Sequence, residues 1–214
     1  MKIAAPDLPA TLTSASDLVA LLRTDEQLTG LHLEDTDITG FRQKGISMAE
    51  SKLSHVRLSQ AVLENFQAID CCLESCDLTA AKLADSSWRR VMVTNSRCSG
   101  VQLQTSNLKD VRFKSCKLDL ANLRYSKLEN VSFEDCTITE LDLYNATLKN
   151  VGFSGCTIER VEFSEARLSN VDLTQADIIS LKGLRSLKGA RINSEQLIQL
   201  APAFAQEIGL IVNE

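Results

Sequence analysis

The sequence is poor in several residue types on which enzymes and flexible proteins depend. Its 214 residues include only 2 histidines, 3 prolines and 9 glycines, and 5% of them are aromatic. Two histidines leave little material for histidine-dependent catalysis, and the low proline and glycine content argues against a collagen-like or linker-rich chain. With so few aromatic residues, the core must be mainly aliphatic. A formal net charge of −5 argues against a chain that binds nucleic acid over its whole surface.

Targeting signals and cofactor motifs are also missing. No run approaches the roughly 18 apolar residues that a membrane span needs. The amino terminus is a poor signal peptide because Pro6 and Pro9 break its short apolar stretch. We therefore expect a cytoplasmic protein, in which the 7 cysteines are reduced thiols.

Neither a metal nor a cofactor site can be recognised in the sequence. Cys71, Cys72 and Cys76 are clustered, but no second cysteine pair or nearby histidine completes a zinc site. His32 and His55 lie outside any catalytic motif, and there is no phosphate-binding glycine loop. We expect no catalytic residues, no metal and no cofactor, and we interpret the cysteines as small buried residues.

What the sequence does contain is a period of five. At every fifth position from Leu28 to Ile178 stands Leu, Ile, Val, Phe, Met or Trp, and the only exceptions are Gln43, Ala68 and Cys98. A second register, two positions earlier, holds mostly Ser, Cys, Ala and Val. A period of five fits neither an α-helix nor a flat strand, so both registers must face the inside of a chain that turns a corner after each short extended segment.

A longer period, equal to four of these segments, defines the cross-section. Val91, Val111, Val131, Val151 and Val171 recur at this interval. Four segments of five predict a four-sided coil, in which each coil forms hydrogen bonds with the next at a spacing of about 4.8 Å. We therefore predict an all-β solenoid of about eight coils.

The repeat resembles that of the pentapeptide repeat proteins. Segments such as Cys76-Asp77-Leu78, Ala121-Asn122-Leu123 and Ala176-Asp177-Ile178 are similar to the A-(D/N)-L-x-x motif of that family. The resemblance covers roughly residues 26–180 and implies a right-handed quadrilateral β-helix. It says little about function, because the fold serves many ends.

Both ends of the solenoid need a cap. We predict an amino-terminal cap over residues 1–25, in which Ser14 or Ser16 begins a short helix that buries Leu18, Leu21 and Leu22. The repeat region spans residues 26–180. In the carboxy-terminal segment, residues 181–214, the sequence from Leu187 to Ile192 shifts the register by one position. Asn193 or Ser194 then caps a helix that Pro202 interrupts or kinks, Gly209 ends it, and residues 210–212 form a short β-prone tail.

This ending is similar to that of the Qnr and MfpA subfamily, DNA-mimicking pentapeptide proteins that bind DNA gyrase. In that subfamily a carboxy-terminal helix and strand pair two rods around a twofold axis. The resemblance therefore implies a homodimer, and the predicted interface consists of Leu197, Leu200, Phe204, Ile208, Leu210 and Val212. The alternative is that the helix is only a lid.

Charge is distributed in blocks along the chain. Residues 1–80 carry −6, residues 81–130 carry +6, residues 131–180 carry −6 and residues 181–214 carry +1. An acidic rod could imitate duplex DNA, so the leading hypothesis is a non-enzymatic module that binds DNA gyrase or a related topoisomerase, to inhibit or protect it. Its main phosphate surrogates would be Glu140, Asp142, Glu159, Glu162 and Glu165.

Two features weigh against mimicry. A basic band lies between the acidic blocks and comprises Arg89, Arg90, Arg97, Lys109, Arg112, Lys114 and Lys117. From Leu73 to Ile178 the repeat also lacks the inserted loops that Qnr-type proteins use in protection from quinolones, although MfpA-type members without such loops remain compatible. The alternative is a scaffold or adaptor that binds another protein partner. Direct binding of nucleic acid through the basic band is a weaker hypothesis, because no aromatic ladder accompanies it.

Overall fold

The computed structural model describes residues 3–15, 20–22 and 27–211. The chain winds into a four-sided rod of parallel strands, with about nine turns. Along the regular coils each residue pairs with its equivalent in the next coil, as Val91 does with Val111 and Val111 with Val131. The predicted solenoid and its longer period are therefore confirmed.

The strands are short, except where two sides of a coil are assigned as one strand. They are β1 (Thr13–Ala15), β2 (Gln27–Thr29), β3 (Leu31–Glu34), β4 (Ser47–Ser54), β5 (Gln67–Glu74), β6 (Ser87–Thr94), β7 (Asn107–Lys114), β8 (Lys127–Glu134), β9 (Thr137–Thr139), β10 (Thr147–Ser154), β11 (Thr157–Glu159), β12 (Val161–Glu162), β13 (Arg167–Asp172), β14 (Asp177–Ile178), β15 (Leu181–Lys182) and β16 (Ala190–Arg191). The largest sheet runs β1-β3-β4-β5-β6-β7-β8-β10-β13-β16, with β2 beside β4. The other two sides are held by β9-β11-β14, by β12-β15 and by single bridges between coils.

The corners of the coils are made by residues in the left-handed backbone region. Many residues other than glycine have φ between 50° and 59°, and each of them has a number divisible by five. Asp70, Arg90 and Asp110 are examples that stand at successive levels of one corner. This conformation turns the chain by a right angle, and the backbone hydrogen bonds between coils hold it there.

The core is a set of side-chain stacks along the rod axis. The rings of Phe113, Phe133 and Phe153 are stacked, with centroid distances of 5.2 and 4.9 Å, and Trp88 continues the stack at 6.4 Å from Phe113. All four side chains are at most 1% exposed. The periodic apolar residues therefore fill the interior, as the sequence predicts.

The small inward register does more than fill space. The Ser126 hydroxyl donates to the Leu103 carbonyl at 2.7 Å and accepts the Ser106 N–H at 3.2 Å. Cys136 behaves alike, since its thiol donates to the Phe113 carbonyl at 3.5 Å and its sulfur accepts the Cys116 N–H at 3.4 Å. Where this register holds serine or cysteine, the hydroxyl or thiol can thus form a hydrogen bond to a neighbouring coil.

The amino-terminal segment differs from the predicted cap. Thr13–Ala15 form β1, which pairs with β3, so Ser14 lies in a strand and does not cap a helix. Residues 20–22 are helical, and Leu22 is buried in the core. Ser16 and Leu18 lie outside the described residues. Residues 3–12 form an extended arm on the outside of the rod, which the sequence did not predict.

The carboxy-terminal cap largely follows the prediction. β16 pairs with β13 so that Val171 lies beside Ala190, one position short of the interval between regular coils, which confirms the shift of register by one. A 3₁₀ helix (Leu184–Leu187) precedes it, and the carboxy-terminal helix (Ser194–Glu207) follows, with Asn193 and Gln196 forming a reciprocal capping box.

Two expectations at this end need correction. Of the two outcomes predicted for Pro202, interruption of the helix is wrong, because the helix continues through Pro202 to Glu207. Leu210 and Ile211 form no strand, whereas Gly209, with φ of 79°, does follow the helix end as predicted.

Candidate protein-interaction surfaces

The five acidic residues proposed as phosphate surrogates lie on two neighbouring coils. Asp142 pairs with Glu162 across a bridge, and the Glu140 N–H donates to the Glu159 carbonyl at 2.8 Å. The structure therefore brings the predicted residues together on two adjacent sides of the rod, with Glu165 at the next corner.

Much of this acidic charge is compensated within the chain. The Arg160 guanidinium contacts the Glu140 carboxylate at 2.8 Å and also pairs with Glu159. Arg124 Nη1 lies 3.1 Å from the Asp142 carboxylate. Arg160 directly follows Glu159, but the pairs Arg160–Glu140 and Arg124–Asp142 join neighbouring coils, and block charges alone did not reveal them.

Two of the five acids keep an uncompensated charge. Within residues 3–15, 20–22 and 27–211, neither Glu162 nor Glu165 forms an ion pair. Glu162 Oε1 accepts the Ser164 N–H at 2.7 Å, which holds its carboxylate close to the coil. A DNA-like surface would therefore rest mainly on these two residues.

The basic band is not one patch, because each coil wraps all four sides of the rod. Arg89 and Lys109 pair in register on one side, Arg112 and Lys114 lie on the next, and Arg97 stands on a third. Several members are also compensated. Those with carboxylate partners within 4 Å are Arg90, Lys109, Arg112 and Lys117.

A patch of apolar and aromatic side chains lies beside the acidic residues, and the sequence analysis missed it. We call it the aromatic patch: Leu120, Arg124, Tyr125 and Tyr144. Leu120 is 61% exposed and Tyr125 is 49% exposed, although both belong to a surface that is otherwise mainly polar. They occupy two successive corners of one coil, with Arg124 between them.

The aromatic patch is ordered by its own contacts. The rings of Tyr125 and Tyr144 meet edge to face at 5.7 Å, and the Arg124 guanidinium carbon lies 4.4 Å from the centroid of Tyr144. Its ion pair with Asp142 fixes Arg124 from the other side. The signal in the sequence was that the only 2 tyrosines both fall in outward registers.

Of the five predicted dimer-interface residues that the structure describes, three are exposed, one in the carboxy-terminal helix and two just after it. Leu197, Ile208 and Leu210 are 54%, 62% and 60% exposed, and Phe204 is half-buried. Leu200 differs, because at 3% exposure it is already packed on the core of its own chain. Val212 lies outside the described residues.

Among the described residues, no three His, Cys, Asp or Glu side chains come together in a way that could hold a metal ion. None of the helices described is both long and apolar enough to span a membrane.

A comparison with models of protein families identifies the family to which the chain belongs. A family model described as "Pentapeptide repeat region" matches residues 68–143 and 106–182, which together make up more than half of the chain. The chain belongs to the pentapeptide repeat family. No curated protein has a significantly similar sequence.

Several solved structures of pentapeptide repeat proteins align over most of the chain. HetL, involved in heterocyst differentiation regulation in the cyanobacterium Nostoc sp. strain PCC 7120, is 18% identical; the alignment covers 85% of this chain and 98% of HetL, with a TM-score of 0.47. QnrB1, a plasmid-mediated fluoroquinolone resistance protein, is also 18% identical over 86% of this chain and 99% of that chain, with a TM-score of 0.34. Rfr23 from the cyanobacterium Cyanothece 51142 is 19% identical over 64% and 95%, with a TM-score of 0.24.

Proposed function

We propose that this chain is a non-catalytic protein-interaction module of the cytoplasm, and that it binds its partner through the aromatic patch. The observation that carries the proposal is the exposure of Leu120 and Tyr125 beside Tyr144 and Arg124. Tyrosine and arginine are among the residues most enriched where binding energy concentrates at protein interfaces. The patch is also preorganised, which lowers the entropy cost of association.

The composition of the patch also favours a particular kind of partner. Arg124 is already paired with Asp142, so an acidic partner group would gain little from it. The exposed ring of Tyr125 and the side chain of Leu120 instead offer apolar contact area with a polar rim. We therefore infer a folded protein partner with an apolar anchor residue, and the chain acts as an adaptor or scaffold.

The proposal is tested by removing the patch while the coil is kept intact. Tyr125→Asn places at that corner the residue found at corner 145, and Tyr144→Ser places the residue found at position 164 in the next coil. We expect this double variant to melt like the wild type and to lose at least ten-fold in affinity for a partner purified with the wild-type chain. Thr94→Ala with Ser154→Ala, on the opposite side of the rod, is the matched control. Equal affinity of all three proteins would contradict the proposal.

A second candidate is DNA mimicry towards DNA gyrase or a related topoisomerase. The specific observation in its favour is the pair of uncompensated carboxylates, Glu162 and Glu165, one coil from Asp142. In this case the protein would compete with DNA for a basic groove on the enzyme, without making or breaking a bond.

A supercoiling assay separates the two candidates. With bacterial gyrase and relaxed plasmid, mimicry predicts inhibition that added DNA relieves and that Glu162→Lys with Glu165→Lys abolishes. Glu34→Lys with Glu50→Lys, at the opposite end of the rod, makes the same change of charge and should retain inhibition. If the patch variant Tyr125→Asn with Tyr144→Ser abolishes inhibition and the Glu162/Glu165 variant does not, gyrase is bound through the aromatic patch and mimicry is excluded.

We further propose that two copies associate through exposed apolar residues in the carboxy-terminal helix and just after it. Leu197, Ile208 and Leu210 form an apolar surface that one chain leaves in contact with water. The partner surface would then be present twice on a twofold-symmetric particle.

A further inference from the structure

The amino-terminal arm, residues 3–12, lies lengthwise on one side of the rod. The Ala4 N–H approaches the Asp110 carboxylate at 3.5 Å, the Asp7 N–H donates to Asp70 Oδ1 at 2.9 Å, and Thr13 pairs with Leu31. The arm thus passes over about four coils, from the coil of Asp110 back to the first one.

The arm packs on the rod through four of its side chains and has no sheet ladder of its own. Ile3, Pro6, Leu8 and Leu12 are half-buried, whereas the residues at 4, 5, 7 and 9–11 are exposed. Leu8 lies in a shallow groove whose floor includes Cys72 and Met92. No residue from 3 to 12 is in a strand, so only a few side-chain and capping contacts hold the segment in place.

Two carboxylates of the rod, those of Asp70 and Asp110, accept hydrogen bonds from backbone N–H groups of the arm. Asp70 is only 5% exposed, and Arg90 Nε donates to its carboxylate at 2.6 Å while the Asp7 N–H donates to the same oxygen. The Arg90 guanidinium holds the pKa of Asp70 below its usual range, so the acceptor stays ionised near neutral pH. Asp110 Oδ1 is oriented by the Asn130 side chain, which donates to it at 3.1 Å.

Ile3 borders a trough of about 340 Å³ on the same side of the rod, whose lining also includes Arg112, Ser132, Gly152 and Asp172. The middle of the trough is recessed because Ser132 and Gly152 stand where the two preceding coils have the longer side chains of Met92 and Arg112. The adjoining corner also continues, as a ladder in which Asn170 donates to Asn150 and Asn150 to Asn130 at 2.8 and 3.0 Å.

We propose that this side of the rod, from the groove of Leu8 to the trough, is a binding track for an extended peptide segment of a partner protein, and that the arm is its exchangeable resident occupant. The arm itself demonstrates the chemistry that the track accepts: a peptide segment with aliphatic side chains spaced two to four positions apart and an N–H that donates to Asp70. A partner segment of this pattern replaces Ile3 at the trough and Leu8 above Met92. This site is separate from the aromatic patch, and the two do not share residues.

The test uses the full chain and, as the probe, a fluorescent peptide with the arm sequence MKIAAPDLPATLTSA (residues 1–15). Leu8→Glu should undock the arm, because it places a charge in the groove; Ala10→Glu makes the same change at an exposed position of the arm. We expect the peptide to bind the Leu8→Glu chain at least ten-fold more tightly than the wild type, and the Ala10→Glu chain like the wild type. Adding Met92→Glu to Leu8→Glu should remove the binding.

Three results would overturn the proposal, provided that all variants melt like the wild type. They are no binding to the Leu8→Glu chain, equal affinity for this chain and the wild type, and binding that Met92→Glu leaves unchanged. If Leu8→Glu allows the peptide to bind and also halves the particle mass in light scattering, the track is occupied by the arm of a second copy instead.

Discussion

Corner residues carry most of the conformational strain in this fold. A left-handed conformation costs an L-residue roughly 1–2 kcal/mol relative to glycine, and most corner positions hold residues other than glycine. Several corners hold asparagine, which tolerates this region better than most residues, as at 65, 95, 130, 145, 150 and 170. That enrichment at every fifth position was visible in the sequence and could have located the corners.

Ala80 offers a direct test of corner strain. Ala80→Gly should stabilise the fold by up to about 1 kcal/mol, since relief of the strained φ exceeds the entropy that glycine adds to the unfolded chain. Gly100 already occupies the same corner one coil later. Ala84→Gly, at a turn residue without positive φ, should destabilise by roughly 0.4–1 kcal/mol. Urea unfolding of both variants measures the difference; a loss of stability for Ala80→Gly would contradict this explanation of the corners.

The cysteines should differ sharply in reactivity. Cys71, Cys76, Cys98, Cys116, Cys136 and Cys156 are buried, and only Cys72 is partly exposed. Burial raises the pKa of the Cys71 and Cys76 thiols to about 11, so little thiolate forms near neutral pH. With a disulfide-exchange reagent we expect one thiol to react in the native protein and all of them after unfolding. Cys72→Ser should remove the native reaction, whereas fast native reaction of two or more thiols would show that the interior opens.

Capping elements protect the ends of the rod. The sequence predicted the carboxy-terminal cap but not the amino-terminal arm, for a physical reason. The Asn193 cap could be read from local sequence, because capping boxes depend on residues three positions apart. The arm could not, because its position depends on Asp70 and Asp110, which lie far away in the chain. The helix continues through Pro202 because contacts of the folded chain, such as the burial of Leu200, outweigh the local cost of proline.

Gln196 is the polar residue by which the carboxy-terminal helix holds the last coil. It is 4% exposed, and its Nε2 donates to the Leu173 and Ala176 carbonyls, both at 2.7 Å. Gln196→Ala should destabilise the protein by roughly 1–3 kcal/mol, because both bonds are lost from a buried site. Gln199→Ala, at an exposed position of the same helix, should change stability by less than about 0.5 kcal/mol. Equal melting temperatures for the two variants would show that this cap is dispensable.

At the scale of the whole molecule, a block of like charges in the sequence predicts where those charges lie along the rod axis, but not which side they face. Such a block fixes a position along the axis but spreads its charges over all four sides, so ion pairs form between coils and within them. Arg160 neutralises Glu140 in the coil before it, and Arg124 pairs with Asp142 in the coil after it. The periodicity therefore predicted the fold and the axial position of the acidic residues, but not their net charge or the aromatic patch.

Association through the carboxy-terminal helix is a further property of the whole molecule. We expect light scattering to give a mass twice the 23.5 kDa of one chain. Leu197→Glu with Ile208→Glu should give the mass of a single chain, because it places charges in an apolar interface. Gln199→Glu, a substitution at an exposed polar position, should leave the dimer intact. A wild-type particle of single-chain mass would contradict the proposal.

The proposal that a partner binds the aromatic patch is tested most directly by site-specific photocrosslinking in the host cell. A photoreactive phenylalanine analogue at Thr105, one coil below Tyr125 at the same corner, is compared with the same analogue at Gln67, on a neighbouring side of the rod. The account predicts one defined crosslinked protein at position 105 that is absent at 67 and is lost when Tyr125→Asn and Tyr144→Ser are added. No crosslink at 105, or the same product at both positions, would contradict it.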